Sequence, residues 1–410
     1  MDALCNWLRS KDPLFKVADQ LLGLANFPVT GRGIIAKAHI PKGSLLLQIP
    51  RELCLSQETA RMYPPLKDIF AAVPELSSDD VIALCLMHQR LQGEEAPNYE
   101  HIRLIPGIDQ GAEPYQQTIF WTDEELDELK GSKIYTITKQ LHSQLRSDYN
   151  NIVVRVFMRF PKVLPLKSYS YDIYLWALAT IWSRAMDFQV NDETVGRYIV
   201  PVADMFNTDP HSEVCHFYNV ANNTIGIMAN KDYQAGEQVF INYGEVPNAR
   251  LLQLHGFTIE NNPGEVVELY APLSPQVECF SNKLSLLGKM GVNPNQPHLL
   301  SASTPLPPKL LPSLRVQFGT EDILKKVESE ALSFDSSVDP KYEGEILKFL
   351  ESGIQGMLAQ YPADSDTDSE EMGDGSQPQS RKKMAVILRH GEKAFLEKSL
   401  KTVQELLESL

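Results

Sequence analysis

The sequence predicts an α+β fold, in which a β-rich core is split in two by a helical insert and followed by a helical C-terminal region. Three observations carry this. β-like runs flank the turn Pro41-Lys42-Gly43, and β character returns around Asn222-Asn223 and Ala235-Gly236. Residues 57–180, between those stretches, place apolar side chains at helical spacing. The last 27 residues do the same, with Val386, Leu388, Phe395, Leu396, Leu400, Val403 and Leu407.

Residues 1–20 read as a short amphipathic helix built on Leu4, Leu8, Phe15, Val17 and Leu21, interrupted by Pro13. The stretch "TGRGIIAKAHIPKGSLLLQIP" (30–50) reads as a hairpin. In the insert, "DDVIALCLMHQRLQG" has Asp79 or Asp80 as N-cap. Thr122, with Glu125 three residues later, forms a capping-box signal, and "SYDIYLWALATIWSRAMD" is a further helix with Asp172 near its start. "GIIAKAHIPKGSLLLQI" and "GIMANKDYQAGEQVFIN" share their spacing, so the two β segments must meet in space. "VPNARLLQLHGF" is a helix, and the chain after residue 260 is helical, including 321–333 and 341–359. Residues 362–383 are acidic and rich in Ser, Gly and Pro; such a composition cannot offset its ordering entropy, and a disordered loop is expected. "DSDTDS" (364–369) begins like a calcium loop but lacks its later glycine and glutamate, and Ser365, Thr367 and Ser369 there suit phosphorylation. The expected division is 1–64 (N-terminal helix and first part of the core), 65–175 (helical insert), 176–262 (second part of the core) and 263–410 (helical domain).

Composition narrows the function classes. At 410 residues and 43% hydrophobic, the chain exceeds one ordinary core. Its apolar runs fall short of the ~20 residues of a membrane span, and its start shows neither a signal-peptide nor a transit-peptide pattern, so cytosol or nucleus is expected. A net charge of −15 disfavours nucleic acid and suits basic protein segments. The five cysteines are scattered, without metal-ligand spacing, and are expected as reduced thiols. His211 and His216 are the one metal-like pair; their spacing fits no zinc motif, and no metal site is expected. The chain has no G-x-G-x-x-G after a strand, no P-loop and no G-x-S-x-G.

Several short motifs carry chemistry weakly by themselves. "GRG" (31–33) permits close backbone approach to a ligand, though alone it is more simply a loop glycine pair. "VPVADMFNTDPHSEV" (200–214) brings Asp204 and Asn207 to the end of an apolar run, where they either cap a turn or grip a ligand. "FINYG" (240–244) places Tyr243 at a strand end, and "WSRAMDF" (182–188) places Arg184 at a helix end; the plain readings are an interfacial core tyrosine and a surface arginine.

Together and in this order, these motifs and "NARLLQLHGF" resemble the SET-domain protein methyltransferases. With "IFWTDEELDELKGS" they resemble the subgroup of the Rubisco large-subunit methyltransferase, with its ribosomal-protein lysine and actin-histidine methyltransferase relatives. The resemblance covers roughly residues 20–262 and, more loosely, the helical tail. It implies a split SET core, a C-terminal substrate-binding domain, and S-adenosylmethionine as cofactor. It further implies cofactor contacts from Arg32, Gly33, Arg184, Asp204, Asn207, the Thr208 backbone and Tyr243. Tyr243 would be catalytic, and Phe206, His255 and Phe257 would line the substrate pocket. Two positions depart from the family pattern: Thr208 stands where histidine is common, and His255 where a second tyrosine is common.

The expected function is a protein-lysine N-methyltransferase acting as a monomer on a non-histone protein, with ribosomal or translation proteins the first expectation and no nucleic-acid or membrane partner. A protein-histidine methyltransferase and a catalytically silent peptide-binding module are the alternatives, motivated by Thr208 and His255.

Overall fold

The computed structural model describes residues 1–107, 115–329, 333–363 and 378–410. These fall into two compact units. The first comprises the described residues of Met1–Asp123, Thr136–Thr258 and Gly373–Arg381; the second comprises those of Glu124–Tyr135, Ile259–Met372 and Lys382–Leu410.

The first unit holds the β structure expected on either side of the insert. Before the insert come β1 (Lys16–Val17), β2 (Leu22–Phe27), β3 (Gly31–Ala36) and β4 (Leu45–Pro50). After it come β5 (Ala185–Gln189), β6 (Val195–Ile199), β7 (Asn207–Thr208), β8 (His216–Asn219), β9 (Thr224–Met228) and β10 (Gln238–Ile241). They form sheets of order β1-β4-β9-β8 and β2-β3-β10-β7, plus a β5-β6 ribbon.

The expected hairpin at Pro41-Lys42-Gly43 is not one, because β3 and β4 belong to different sheets. The turn is a corner. Gly43 (φ 81°) redirects the chain from one sheet to the other, and Gly236 (φ 91°) does the same between β9 and β10. Each segment then pairs with the other, β3 with β10 and β4 with β9, both antiparallel. The shared spacing of the two sequences is therefore a local two-fold. The equivalent residues Ile40 and Tyr233 bridge each other on its axis. The Gly43 N–H donates to the Ala229 carbonyl and the Gly236 N–H to the Ala36 carbonyl, both at 2.8 Å, and each bond is the image of the other. A true hairpin does form at Asn222-Asn223, between β8 and β9, with Asn223 at φ 56°.

Helix α1 (Asp2–Lys11) is shorter than the expected 1–20, because Asp12 and Pro13 turn the chain so that Lys16 and Val17 pair with β4. The insert carries α2 (Gln57–Arg61), α3 (Lys67–Ala72), α4 (Ser78–Gln92), α5 (Tyr99–Ile102), α6 (Asp123–Asp127), α7 (Lys133–Ile152) and α8 (Tyr171–Arg184). The N-cap of α4 is Ser77, not Asp79 or Asp80. Its hydroxyl accepts the Asp80 N–H at 3.1 Å and donates to the Asp80 carboxylate at 2.7 Å. Val81 to Gln89 are buried on every side of α4, which packs on α8. Helix α9 (Asn248–His255) closes on the left-handed Gly256.

The second unit contains α10 (Phe280–Lys289), α11 (Leu310–Phe318), α12 (Glu321–Glu328), α13 (Pro340–Leu358) and α14 (Arg381–Glu408), the last two starting close to the sequence expectation. It also contains a ribbon in a stretch where the sequence predicts helix, β11 (Val267–Leu269) with β12 (His298–Leu300); Val267 and Leu269 alternate inward across it. Glu124–Tyr135, read as insert, belongs here. Ser132 bonds Glu392, Lys133 bonds Glu268, and Glu128 pairs with Arg389. The acidic stretch 362–383, with "DSDTDS" inside it, lies largely outside the described residues, but its last residues, Arg381–Lys383, open α14 and are not loop. Among the described residues, no helix is long and apolar enough to cross a membrane.

Candidate active site

The β3–β10 pair of the two-fold builds the site. Next to Gly33 on β3 there is no room for a side chain: a Cβ would stand 2.5 Å from Gln238 Nε2 and 2.7 Å from Asn207 Nδ2. The Asn207 amide donates to the carbonyls of Thr30 and Arg32, each at 3.2 Å, so it is committed to the backbone that carries Arg32 and Gly33. Asn207 and Thr208 run parallel to β10, opposite Phe240 and Ile241.

Tyr243 stands just beyond the end of β10, after Asn242. Its N–H donates to Thr208 Oγ1 at 3.1 Å, and its hydroxyl donates to the Phe206 carbonyl at 2.8 Å. Burial pushes this phenol up to about 12. It stays protonated at working pH and remains a donor. Phe206 itself is 1% exposed and packed in the β core. Contrary to expectation it is not among the residues that line the cavity at this site, and its carbonyl is what bonds Tyr243.

The turn between β6 and β7 is held under strain. Val202 is fully buried with φ 70°, a region that β-branched residues avoid, and it starts the 3-10 turn Ala203–Met205 that presents Asp204. The Asp204 side chain is only 1% exposed. Its Oδ2 meets His101 Nε2 at 3.2 Å and Arg184 Nη1 at 3.5 Å. Arg184 Nη1 also donates to the Asp204 carbonyl at 2.6 Å. Burial opposes charge on Asp204, but His101, Arg184 and Arg32 outweigh it and hold the carboxyl below its usual range. Burial and the neighbouring Arg184 lower Arg32, whose guanidinium donates to the Leu104 carbonyl at 2.5 Å. Buried polar atoms without a hydrogen-bond partner include Asp204 Oδ1 and Arg184 Nε in this cluster, and Gln238 Nε2 beside Gly33.

Arg184, Asp204, Tyr243 and His255 line one cavity of about 610 Å³, with Ile181, Trp182 and Leu254 among its apolar walls. The His255 ring lies 4.9 Å from that of Tyr243, tilted by 31°. Its Nδ1 is 3.2 Å from the Ser183 carbonyl, which can only accept, so Nδ1 carries the proton and Nε2 keeps its lone pair. Burial lowers this imidazole to about 4, and it is neutral at pH 7. Phe257 joins through His255, their rings 6.0 Å apart. Of the residues expected from the sequence, Arg184, Asp204, Tyr243 and His255 line this cavity, whereas Arg32, Gly33, Asn207, Thr208, Phe206 and Phe257 do not; His101, Gln238 and the Ser183 carbonyl, which contact these residues, were not expected. No local pattern marks them, because each acts across a long chain separation.

A family model described as "SET domain" matches residues 31–244, and one described as "Rubisco LSMT substrate-binding" matches 274–396. The human actin-histidine N-methyltransferase is 27% identical over 407 residues, covering 92% of this chain and 65% of that protein. The chain thus spans just under two thirds of that relative. Among solved structures, the SET domain of LSMT bound to MeLysine and AdoHcy superposes with a TM-score of 0.81 at 21% identity, covering 99% of this chain and 91% of the other. Rubisco LSMT bound to AdoMet gives 0.79 at 22% identity, covering 99% and 92%. The GRG strand, the strained Asp204 turn, the half-buried tyrosine after β10 and these matches converge: the chain belongs to the SET-domain family, with a substrate-binding region of the Rubisco LSMT type behind it.

Proposed function

We propose that this chain is an S-adenosylmethionine-dependent protein N-methyltransferase acting on a lysine side chain of a non-histone protein. The observation that carries the reading is the pair of unpartnered buried atoms in the cavity cluster. The amino-acid end of the cofactor is a zwitterion. Asp204 Oδ1 offers an acceptor for its ammonium and Arg184 Nε a donor for its carboxylate, so the residues present fit the group. Arg32, Gly33 and the Thr208 backbone would hold the remainder, on the strands that Asn207 ties together. When bound, the cofactor supplies a methyl group already activated on a sulfonium.

The chain's own residues position and desolvate the acceptor. A free lysine titrates near ~10.4, and an apolar cavity disfavours its ammonium form, so the amine enters neutral. His255, neutral and with a free Nε2 lone pair, accepts an N–H of the incoming amine and so turns the amine's single lone pair toward the methyl. Tyr243, fixed by Thr208 and the Phe206 carbonyl, forms the floor of that path. The hydroxyl of Thr208 thus supports Tyr243 directly.

A second reading is a histidine acceptor. The curated relatives are named for actin-histidine methylation. An imidazole N–H would satisfy His255 Nε2 equally well, leaving the other ring nitrogen to be methylated. The test is labelling of a cell lysate with tritiated S-adenosylmethionine, wild type against Tyr243→Phe, followed by mass spectrometry of the labelled bands, with actin and ribosomal proteins scored first. Label on lysine that is lost in the variant supports the proposal, and label on histidine moves the assignment to the second reading. A wild-type protein that neither labels any protein nor binds S-adenosylhomocysteine in calorimetry leaves only a silent peptide-binding module.

A further inference from the structure

We infer that His101, a residue of the helical insert, is a positioning residue for the amino-acid end of the cofactor; this rests on the reading that the cavity takes S-adenosylmethionine. His101 lies on α5 and is 4% exposed at its side chain. Its Nε2 reaches Asp204 Oδ2 at 3.2 Å, and because the carboxylate only accepts, Nε2–H is the donor. That bond occupies one oxygen of Asp204 and so decides where the other points. Oδ1 is left buried without a hydrogen-bond partner, as is Arg184 Nε, and both residues line the cavity.

A second, independent contact comes from the same short segment. The carbonyl of Leu104, three residues beyond His101, accepts from Arg32 Nη2 at 2.5 Å. Leu104 in turn bonds its own N–H to the His101 carbonyl at 2.9 Å, so the two contact points form one rigid turn. The insert therefore grips both members of the cluster that would otherwise collapse onto each other. With Leu104 drawing Arg32 aside and His101 holding one oxygen of Asp204, the second oxygen remains for a ligand. Without His101, Asp204 is free to rotate and close both oxygens on the nearby guanidinium groups, a geometry that planar Arg–carboxylate pairs favour. The acceptor for the ligand ammonium would then be spent inside the protein.

The test compares His101→Leu and His101→Gln, because a glutamine amide places an N–H donor near the original Nε2 and leucine places none. Two probes are titrated by calorimetry: S-adenosylhomocysteine, which carries the amino-acid group, and 5′-methylthioadenosine, which lacks it. The expected result is a loss of about 10–100-fold in S-adenosylhomocysteine affinity for His101→Leu, the size of one charge-assisted hydrogen bond. Affinity for methylthioadenosine should stay unchanged, and His101→Gln should recover most of the loss. In turnover, the variant should raise the KM for S-adenosylmethionine and keep kcat at saturation. Equal weakening for both probes would show a merely structural role and overturn the inference, as would no weakening for either. A wild-type protein that binds methylthioadenosine but not S-adenosylhomocysteine would also overturn it. Wild-type binding of neither probe would instead sink the cofactor reading itself.

Discussion

Glu392, on α14 of the second unit, should make that unit lose stability as pH rises, and Glu392→Gln should remove the effect. The side chain is 5% exposed. It accepts from Ser132 Oγ on one oxygen and from the Tyr361 hydroxyl on the other, both at 2.9 Å. Burial, reinforced by the nearby Glu265, pushes the carboxyl up to about 8 from an ordinary 4.5, against the opposing pull of Ser132 and Tyr361. The folded chain thus keeps a proton that the unfolded chain releases above pH 4.5. The contribution is whole below that value and is lost as pH climbs to about 8, at ~1.4 kcal/mol per pH unit, or about 5 kcal/mol across the window. Glutamine has no proton to lose. Urea unfolding at half-unit steps from about pH 5 to 9 should show wild type and variant within ~1 kcal/mol at the acid end and diverging by several at the alkaline end. Far-UV circular dichroism is the suitable probe, because all 4 tryptophans (Trp7, Trp121, Trp176 and Trp182) lie in the first unit. A difference between the two proteins that does not change with pH would refute the reasoning, since it would mean that Glu392 is ionised when folded.

Three further substitutions have expected outcomes. Gly33→Ala inserts a methyl 2.5 Å from Gln238 Nε2 and 2.7 Å from Asn207 Nδ2. The cost should be about 1–3 kcal/mol in urea unfolding, with S-adenosylhomocysteine affinity falling by at least ~10-fold as the Asn207 tie to β3 loosens. Gly256→Ala combines φ 75° with a Cβ 2.7 Å from the backbone of Gln116 and Gln117. It should lower the Tm by an amount corresponding to about 2–4 kcal/mol and disturb the neighbouring His255. Glu343→Gln leaves Arg315, whose Nη2 and Nε donate to that carboxylate at 2.6 and 2.9 Å, without its buried counter-charge; about 3–5 kcal/mol of stability in denaturant titration should be lost.

The β core was legible because its signals are local: alternating apolar residues, two glycine turns, and an ordered set of motifs around them. Its pairing was not. A Pro-Lys-Gly turn between β-like runs looks the same whether it closes a hairpin or turns a corner, and only the partner strand, far away in the chain, distinguishes the two. The shared spacing of the two segments was the one trace of the answer. It marks a two-fold in which Ile40 meets Tyr233. The cap of α4 was misplaced by two or three residues for a different reason: Ser77, Asp79 and Asp80 all have capping chemistry, and the backbone chooses among them. At the site, residues within motifs were found and residues that serve them were not. His101 sits in "NYEHIRLIP", where nothing in spacing or composition distinguishes it from a surface histidine. Phe206 erred the other way, since a large apolar residue beside a site motif is as easily core as wall, and here its backbone alone is used.

The way these pieces are held suggests why the core is divided at all. β3 carries Arg32 and Gly33, and β10 delivers Tyr243; the two strands are adjacent although the whole insert separates them in the chain. Paired corners lock that adjacency with bonds that are images of each other, so the relative position of the two strands is set by backbone geometry and not by side chains. Side chains near the site are then free for other work. Thr208 holds Tyr243, Asn207 holds the strand of Gly33, and Asp204 divides its oxygens between His101 and the cavity. The insert is placed where it can reach that last residue, and it does so through one turn, by the His101 imidazole and the Leu104 carbonyl. A change in the insert at this turn would therefore alter ligand affinity without moving a strand, whereas a change at the corners would move both strands together. The two classes of variant should separate in experiment: the first in affinity for the amino-acid end of the cofactor, the second in the stability of the whole unit.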